Sequence, residues 1–200
     1  ARLLRIGLFN IPILLSLDLA KNHLEAADLR EFAPVLYHNT SIKVLDLSGN
    51  NLTDMESTVL LRSILRTNKT VTTLNLSGNK FGQTTGAVDC IAEGLVGNST
   101  LLEIHLSGCD LEDGGVSTLA RGLGSRNTTL QKLTLANNSI TFVGVGVILE
   151  RMEQSNNFIM DLELRFNTIG NEGASLIARE SGNEALPNFT RLSFSMRYRR

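Results

Sequence analysis

The chain has 200 residues, a formal net charge of −1 and 42% hydrophobic residues, which is enough for one sizeable core. The near-neutral charge argues against general electrostatic binding to nucleic acid or to an anionic membrane surface. Two cysteines, without a Cys-x-x-Cys pair, exclude a disulfide-rich scaffold and a zinc site built on such pairs. These features predict an ordinary soluble chain in a reducing compartment.

The N-terminal segment, residues 1–13, is predicted to be a cap or a truncated repeat. It holds most of the longest apolar run, IGLFNIPILL at 6–15, which is too short for a bilayer because spanning takes about 20 residues. Arg2 and Arg5 are typical of a signal peptide, but no cleavage motif follows them. A strand-like frame is present at Leu3, Ile6 and Leu8.

Residues 14–200 repeat the frame L-x-x-L-x-L-x-x-N-x-L six times, and a seventh copy keeps its apolar spacing. The positions in the Asn slot are Asn22, Asn50, Asn79, Cys109, Asn138, Asn167 and Met196. Subtracting neighbouring residue numbers gives spacings of 28, 29, 30, 29, 29 and 29 residues. A fixed period of this length indicates a solenoid whose units pack on one another.

Each frame predicts a short strand followed by a helix. The L-x-L alternation sends two leucines to one face of the strand and the residue between them to the other. Helical apolar spacing follows, and the expected inward residues include Val59, Leu60, Ile64, Leu119 and Leu123. Neither layer can bury its apolar face alone, so we expect an α/β arc with parallel strands on the concave side and helices on the convex side.

The Asn slot predicts buried side chains that bond to backbone groups where strand pairing ends. Cys109 is expected to fill this slot as a small structural residue rather than as a reactive thiol. Eight Asn-x-Ser/Thr sequons recur mostly at equivalent repeat positions, so turn chemistry explains them better than glycosylation does. They begin at Asn39, Asn51, Asn68, Asn75, Asn98, Asn127, Asn137 and Asn188.

These features resemble the leucine-rich repeat proteins of the ribonuclease-inhibitor class. The resemblance covers residues 14–197 and includes the helix entry NTIGNEGASLIA at 167–178. It implies a horseshoe that is mostly cytosolic and binds other proteins, as in NOD-like receptors and the Ran GTPase-activating protein. Ribonuclease inhibitor itself is acidic and rich in Cys and Trp, whereas this chain has two Cys and no Trp, so its particular activity is not expected.

The sequence contains no recognised catalytic or cofactor motif. A phosphate loop, a Gly-x-Ser-x-Gly turn and a His-Glu-x-x-His pair are all missing. Asp161 and Glu163 lie two residues apart, but a glycosidase pair is a weak alternative to ordinary surface charges. We therefore expect a non-catalytic module that binds another protein and takes no cofactor, metal, nucleic acid or membrane.

Two alternatives stay open: GTPase activation resembling that of the Ran activator, and a purely structural array between other domains. The expected location is the cytoplasm, with secretion as a microbial effector into a host cell as the second possibility. The chain lacks an initiating Met and ends in SMRYRR, so we expect a fragment of a longer protein.

The third position of the frame predicts a row of charges on the concave face. Across successive strands this position holds Ser16, Val44, Thr73, Glu103, Lys132, Asp161 and Arg191. The last four alternate in sign, and neighbouring strands lie about 4.8 Å apart, so these side chains can pair laterally. The row serves either internal charge matching or partner binding.

The eighth position predicts a second feature near the C-terminal end. It holds Lys21, Gly49, Gly78, Gly108, Asn137, Phe166 and Met196. Aromatic, Met and Arg residues are enriched at interface centres, so Phe166 beside Arg165 indicates a binding spot. The alternative is that Phe166 folds over the end of the stack. The predicted partner-binding residues are Phe166, Arg165, Glu163, Asp161, Arg191, Met196, His105 and Lys132.

Overall fold

The computed structural model describes residues 13–125, 127–154, 159–181 and 190–194, in which short strands alternate with helices. The strands are β1 (Ser16–Asp18), β2 (Val44–Asp46), β3 (Thr73–Asn75), β4 (Glu103–His105), β5 (Lys132–Thr134), β6 (Asp161–Glu163) and β7 (Arg191–Ser193). The helices are α1 (Ala26–His38), α2 (Met55–Thr67), α3 (Ala87–Val96), α4 (Glu112–Ser125), α5 (Phe142–Gln154) and α6 (Gly170–Ser181). A 3₁₀ helix, Phe81–Gln83, lies between β3 and α3.

The seven strands form one parallel sheet in chain order. Equal frame positions pair directly, so Leu45 lies between Leu17 and Leu74 of the neighbouring strands. Residues added in the longer repeats fall outside the strands, and the register is therefore constant along the stack. The predicted α/β solenoid is confirmed.

The core lies between the sheet and the helix layer. The central strand residues Leu45, Ile104, Leu133 and Leu162 have no exposed surface. Leu119 and Leu123 of α4 are buried as predicted. The continuous core makes each repeat depend on its neighbours, since a repeat that opens exposes the apolar faces of the adjacent ones.

The inward face of α2 differs from the prediction. Val59 and Leu60 are half-buried rather than buried. The fully inward apolar residues are Leu61, Ile64 and Leu65. Apolar residues occupy much of the circumference of this helix, so periodicity alone did not determine which of them faces the sheet.

The buried asparagines of the frame connect neighbouring repeats; they are Asn50, Asn79, Asn138 and Asn167. The prediction of burial is wrong for Asn22, which is exposed because no described repeat precedes the first one. The side-chain amide of Asn167 donates to the carbonyl oxygens of Leu135 and Leu164, both at 2.9 Å. Its side-chain oxygen accepts from the backbone N–H groups of Asn138 and Ile140 at 2.8 and 3.1 Å. These bonds satisfy backbone groups of two adjacent repeats just beyond the strands, as predicted.

Cys109 replaces one of these asparagines and is fully buried. Without an amide oxygen from this slot, the preceding turn takes a different path: Gly82 N–H donates to the carbonyl of Cys109 at 3.0 Å. A Cβ on Gly82 would lie 1.6 Å from the carbonyl oxygen of Asp110, so this approach requires glycine. The structural role predicted for Cys109 agrees with these contacts.

A second series of asparagines lies where the helices end. The side-chain amides of Asn68, Asn98 and Asn127 donate to backbone carbonyls of the preceding repeat at 2.6, 2.7 and 3.0 Å. Each side-chain oxygen accepts the backbone N–H of the Thr two residues later. These contacts produce the Asn-x-Thr pattern and support the turn interpretation at three of the sequons. Asn188 lies outside the described residues.

Both ends of the predicted domain plan extend beyond the described residues. The N-terminal segment 1–13 contributes only Ile13 to them, so its role as a cap stays a prediction. On the last strand, Phe189 and Met196 are likewise outside. Phe194 occupies an inward frame position yet is 36% exposed, because β7 is the last strand of the described sheet.

Candidate functional site

Four charged side chains form a row across β4 to β7 on the concave face. The register places Lys132 between Glu103 and Asp161, and Asp161 between Lys132 and Arg191. Lys132 Nζ lies 3.7 Å from Glu103 Oε2 and 3.9 Å from Asp161 Oδ2. Arg191 Nη1 lies 4.0 Å from Asp161 Oδ2. The alternating ladder is therefore present, and each partly exposed pair contributes about 0–1 kcal/mol to stability.

A further ion pair lies beside this row on β6. Arg165 contacts the Glu163 carboxylate through Nε at 2.7 Å and Nη2 at 2.5 Å, a two-atom contact that orients the guanidinium. Asp161 instead contacts Lys132 and Arg191. Because the two carboxylates on β6 use different cations, their arrangement is that of surface ion pairs rather than of a catalytic carboxylate pair.

His105 lies at the N-terminal margin of the ladder and is half-buried. Its Nδ1 is 3.2 Å from Thr134 Oγ1, and its Nε2 is 3.6 Å from Glu103 Oε2. Burial lowers the pKa of His105, Lys132 lowers it further, and Glu103 opposes both effects. Thr134 lies at an outward position but is 4% exposed, because the side chains of His105 and Ser107 contact its hydroxyl.

Phe166 is an exposed aromatic residue with a left-handed backbone. Its φ is 60° and 55% of its surface is exposed. This conformation costs a non-glycine residue about 1–2 kcal/mol, and for a bulky residue it is a genuine outlier. Among the described non-glycine residues with positive φ, Phe166 is the only apolar one.

The six described members of the eighth column share this conformation. The φ values are 56° at Lys21, 63° at Gly49, 74° at Gly78, 65° at Gly108, 55° at Asn137 and 60° at Phe166. The turn needs a left-handed residue at this position, and Gly and Asn supply that conformation most readily. The Gly and Asn composition of the column was the missed signal. Phe166 therefore occupies a position that favours glycine.

The opposite end of the concave face has a different charge pattern. Asp18 pairs directly with Asp46 across β1 and β2. Asp46 accepts the backbone N–H of Ser48 at 2.8 Å and the side-chain amide of Asn75 at 2.8 Å. Among the described residues, no Lys or Arg nitrogen lies within 4.0 Å of either carboxylate.

Seven of the eight predicted partner-binding residues lie on the concave side of β4 to β7 or on the turn after β6. They are His105, Lys132, Asp161, Glu163, Arg165, Phe166 and Arg191. Met196 lies outside the described residues. Glu103, part of the predicted ladder, connects His105 to Lys132. One set of these residues is named the C-terminal patch below: Glu103, Lys132, Asp161, Glu163, Arg165, Phe166 and Arg191.

The cysteines and acidic residues of the described ranges bear on metal binding and catalysis. The described residues contain no group of three or more His, Cys, Asp or Glu that could hold a metal ion. Burial raises the pKa of Cys109 to about 12, so its thiolate scarcely forms near neutral pH. None of the helices in the described ranges combines the length and apolar character needed to cross a membrane.

Sequence comparison agrees with this geometry. Four segments match the family described as Leucine Rich repeat: residues 38–54, 67–84, 97–120 and 155–178. A ribonuclease inhibitor from Sus scrofa is 28% identical over 148 residues, which are 74% of this chain and 32% of that protein. The chain is a leucine-rich repeat protein of the ribonuclease-inhibitor class.

This leucine-rich repeat chain is also similar to parts of longer proteins. It is 34% identical over 164 residues to NACHT, LRR and PYD domains-containing protein 12 from Mus musculus. The match covers 80% of this chain but spans only 15% of that relative's length. The solved structure of the leucine-rich repeat-containing protein LegL7 from Legionella pneumophila has the same fold, with a TM-score of 0.69 at 23% identity. That similarity covers 95% of this chain and 59% of LegL7.

Proposed function

We propose that this leucine-rich repeat domain is a non-catalytic recognition module that binds a protein partner on its concave face, with Phe166 as the anchoring side chain. The observation that carries the proposal is the exposed phenylalanine at a left-handed position, where the four preceding repeats use Gly or Asn. Strained residues of this kind cluster at binding and active sites, where function offsets their cost of about 1–3 kcal/mol.

The surroundings of Phe166 are consistent with an interface centre. Arg165 precedes it in the chain and is held by Glu163 on the same strand, so its guanidinium needs little further ordering when a partner binds. The ladder from Glu103 to Arg191 provides a polar margin beside the ring. An apolar centre with a charged rim is the common anatomy of protein interfaces.

The relatives support a role in which one protein acts on another. One of them is named ribonuclease inhibitor, and this name gives an enzyme as its target. We place this domain in the cytoplasm as part of a sensor, inhibitor or scaffold, which includes an effector delivered by a microbe. No catalytic arrangement among the described residues favours the alternative of GTPase activation. Phosphate release from candidate GTPases incubated with the domain tests that alternative directly.

The proposal is tested with a partner identified by cross-linking and mass spectrometry. Truncating an anchoring aromatic typically costs 2 kcal/mol or more, so Phe166→Ala should weaken the affinity measured by calorimetry about thirtyfold. Ser48→Ala is the matched control, because Ser48 lies on the same face and only its backbone groups take part in the hydrogen bonds described.

Both variants are first confirmed as folded by circular dichroism, so that a loss of binding is not a loss of structure. If Phe166→Ala lowers stability but leaves the affinity unchanged, Phe166 covers the end of the stack and the proposed site is wrong.

A further inference from the structure

The C-terminal patch is balanced in charge without a partner. Its three acidic residues are Glu103, Asp161 and Glu163, and its three basic residues are Lys132, Arg165 and Arg191. Each side chain lies within 4.0 Å of a side chain of opposite sign. The charges also alternate along the row rather than forming separate blocks.

Alternation at this spacing determines what the patch can attract. Neighbouring strands lie about 4.8 Å apart, so the fields of successive charges largely cancel a short distance above the sheet. A charged side chain of a partner would lie about as close to a like charge as to an opposite one. It would lose its hydration and gain little in return, and like-charge contacts are the usual means of rejecting a wrong partner.

We propose that the partner segment bound to the C-terminal patch is uncharged, with one aromatic or branched aliphatic side chain against Phe166. This inference rests on the proposed function and specifies the chemistry of the partner at that site. Such a segment leaves all the ion pairs in place and excludes water from the ring. The row spans three strand intervals, about 14 Å, which matches roughly four residues of extended chain.

The experiment selects binders from a phage-displayed library of random peptides about a dozen residues long. Peptides that bind the immobilised domain are screened again on Phe166→Ala to find those that need the ring. We expect the Phe166-dependent peptides to share an apolar anchor and to lack Lys, Arg, Asp and Glu around it. Their affinities, measured by fluorescence polarisation, should change less than about twofold between about 0.05 and 0.5 M salt, where the Debye length falls from roughly 14 to 4 Å.

A matched variant tests the charge argument itself. Lys132→Gln leaves the carboxylates of Glu103 and Asp161 without the cation between them. Selection on this variant should enrich peptides that carry Lys or Arg beside the apolar anchor, and their binding should weaken as salt increases. Unchanged peptide composition on Lys132→Gln would overturn the inference.

The remaining outcomes separate this inference from the proposed function. Phe166-dependent peptides with conserved charges next to the anchor, and affinities that fall about tenfold or more at high salt, would overturn the inference but keep the site. Peptides that bind the domain equally well with Phe166→Ala would overturn the proposed function, and the inference with it.

Discussion

Replacing Phe166 by glycine and, separately, by alanine tests whether a side chain strains the left-handed backbone at this position. Both changes remove the ring, so the comparison between them cancels whatever the ring buries. What remains is the difference between a residue with Cβ and one without at φ 60°. The Cβ costs about 1–2 kcal/mol in this conformation, whereas the freedom of glycine in the unfolded chain costs about 0.4–1 kcal/mol.

We therefore expect Phe166→Gly to be more stable than Phe166→Ala by about 0.5–1 kcal/mol. The measurement is urea unfolding followed by circular dichroism. With a denaturant dependence of about 2 kcal/mol per M, the midpoint of the glycine variant should be about 0.3–0.5 M higher. The matched pair is Ser48→Gly and Ser48→Ala, since Ser48 is not among the residues with positive φ.

At Ser48 the order should reverse, because in an ordinary conformation glycine is less stable than alanine by roughly 0.5–1 kcal/mol. An alanine variant at position 166 that is at least as stable as the glycine variant would refute the left-handed assignment. It would also remove the strain argument for the binding site. Phe166→Gly and Phe166→Ala should both lose the partner affinity that depends on the ring, whichever of the two is more stable.

Four further outcomes are expected. Leu135→Ala should cost about 2–5 kcal/mol in urea unfolding, since the side chain is fully buried; near-normal stability would mean that the inward strand face is misassigned. Asn138→Ala should cost at least about 2 kcal/mol, because it leaves two backbone N–H groups and one carbonyl unsatisfied, and a change of a few tenths would contradict this. Cys109 has a folded pKa of about 12 against an ordinary 9.0, so the unfolded chain releases this proton first and stability falls as pH rises above 9. The loss is about 1.4 kcal/mol at pH 10 and should be absent in Cys109→Ala. Lys132→Met should raise the pKa of His105 in an NMR titration, because it removes a cation that disfavours protonation; a lower pKa would contradict the geometry.

The depressed pKa of His105 also makes the stability of the fold depend on pH. Its folded pKa lies below the ordinary value of 6.5, so the unfolded chain binds this proton more readily. Stability from this group is fully present above that value and is lost as pH falls toward the folded pKa. Melting temperatures of the parent and of Lys132→Met, compared as the pH is lowered from 7, should therefore diverge, with the parent losing more.

The repeat itself made much of the architecture predictable. A period of 28 to 30 residues places equal frame positions on adjacent parallel strands, so the ladder from Glu103 to Arg191 followed from residue numbers alone. The buried role of the frame asparagines followed for the same reason in the inner copies, whereas Asn22 of the first described repeat is exposed. Both features depend on the register of the strands, which the spacing of the leucines determines.

Other features depend on packing and backbone conformation, which spacing does not encode. The inward side of α2 was misassigned around Val59 and Leu60, because the contact with the sheet selects one of several apolar faces. Thr134 lies at an outward position yet is buried, since His105 on the neighbouring strand β4 contacts its hydroxyl. Outward-facing side chains on adjacent strands can bury one another, and the alternation of residues in the sequence does not show which of them will be buried.

Phe166 illustrates the division most clearly. Its sequence position marked it as unlike its counterparts in the other repeats, and that contrast came from the amino-acid sequence alone. That the turn holds this position at φ 60°, so that glycine relieves the backbone where phenylalanine strains it, was decided by the folded chain. The left-handed conformation arises because the chain must turn sharply at the end of each strand toward the following helix, and the spacing of residues in the sequence does not encode this backbone geometry.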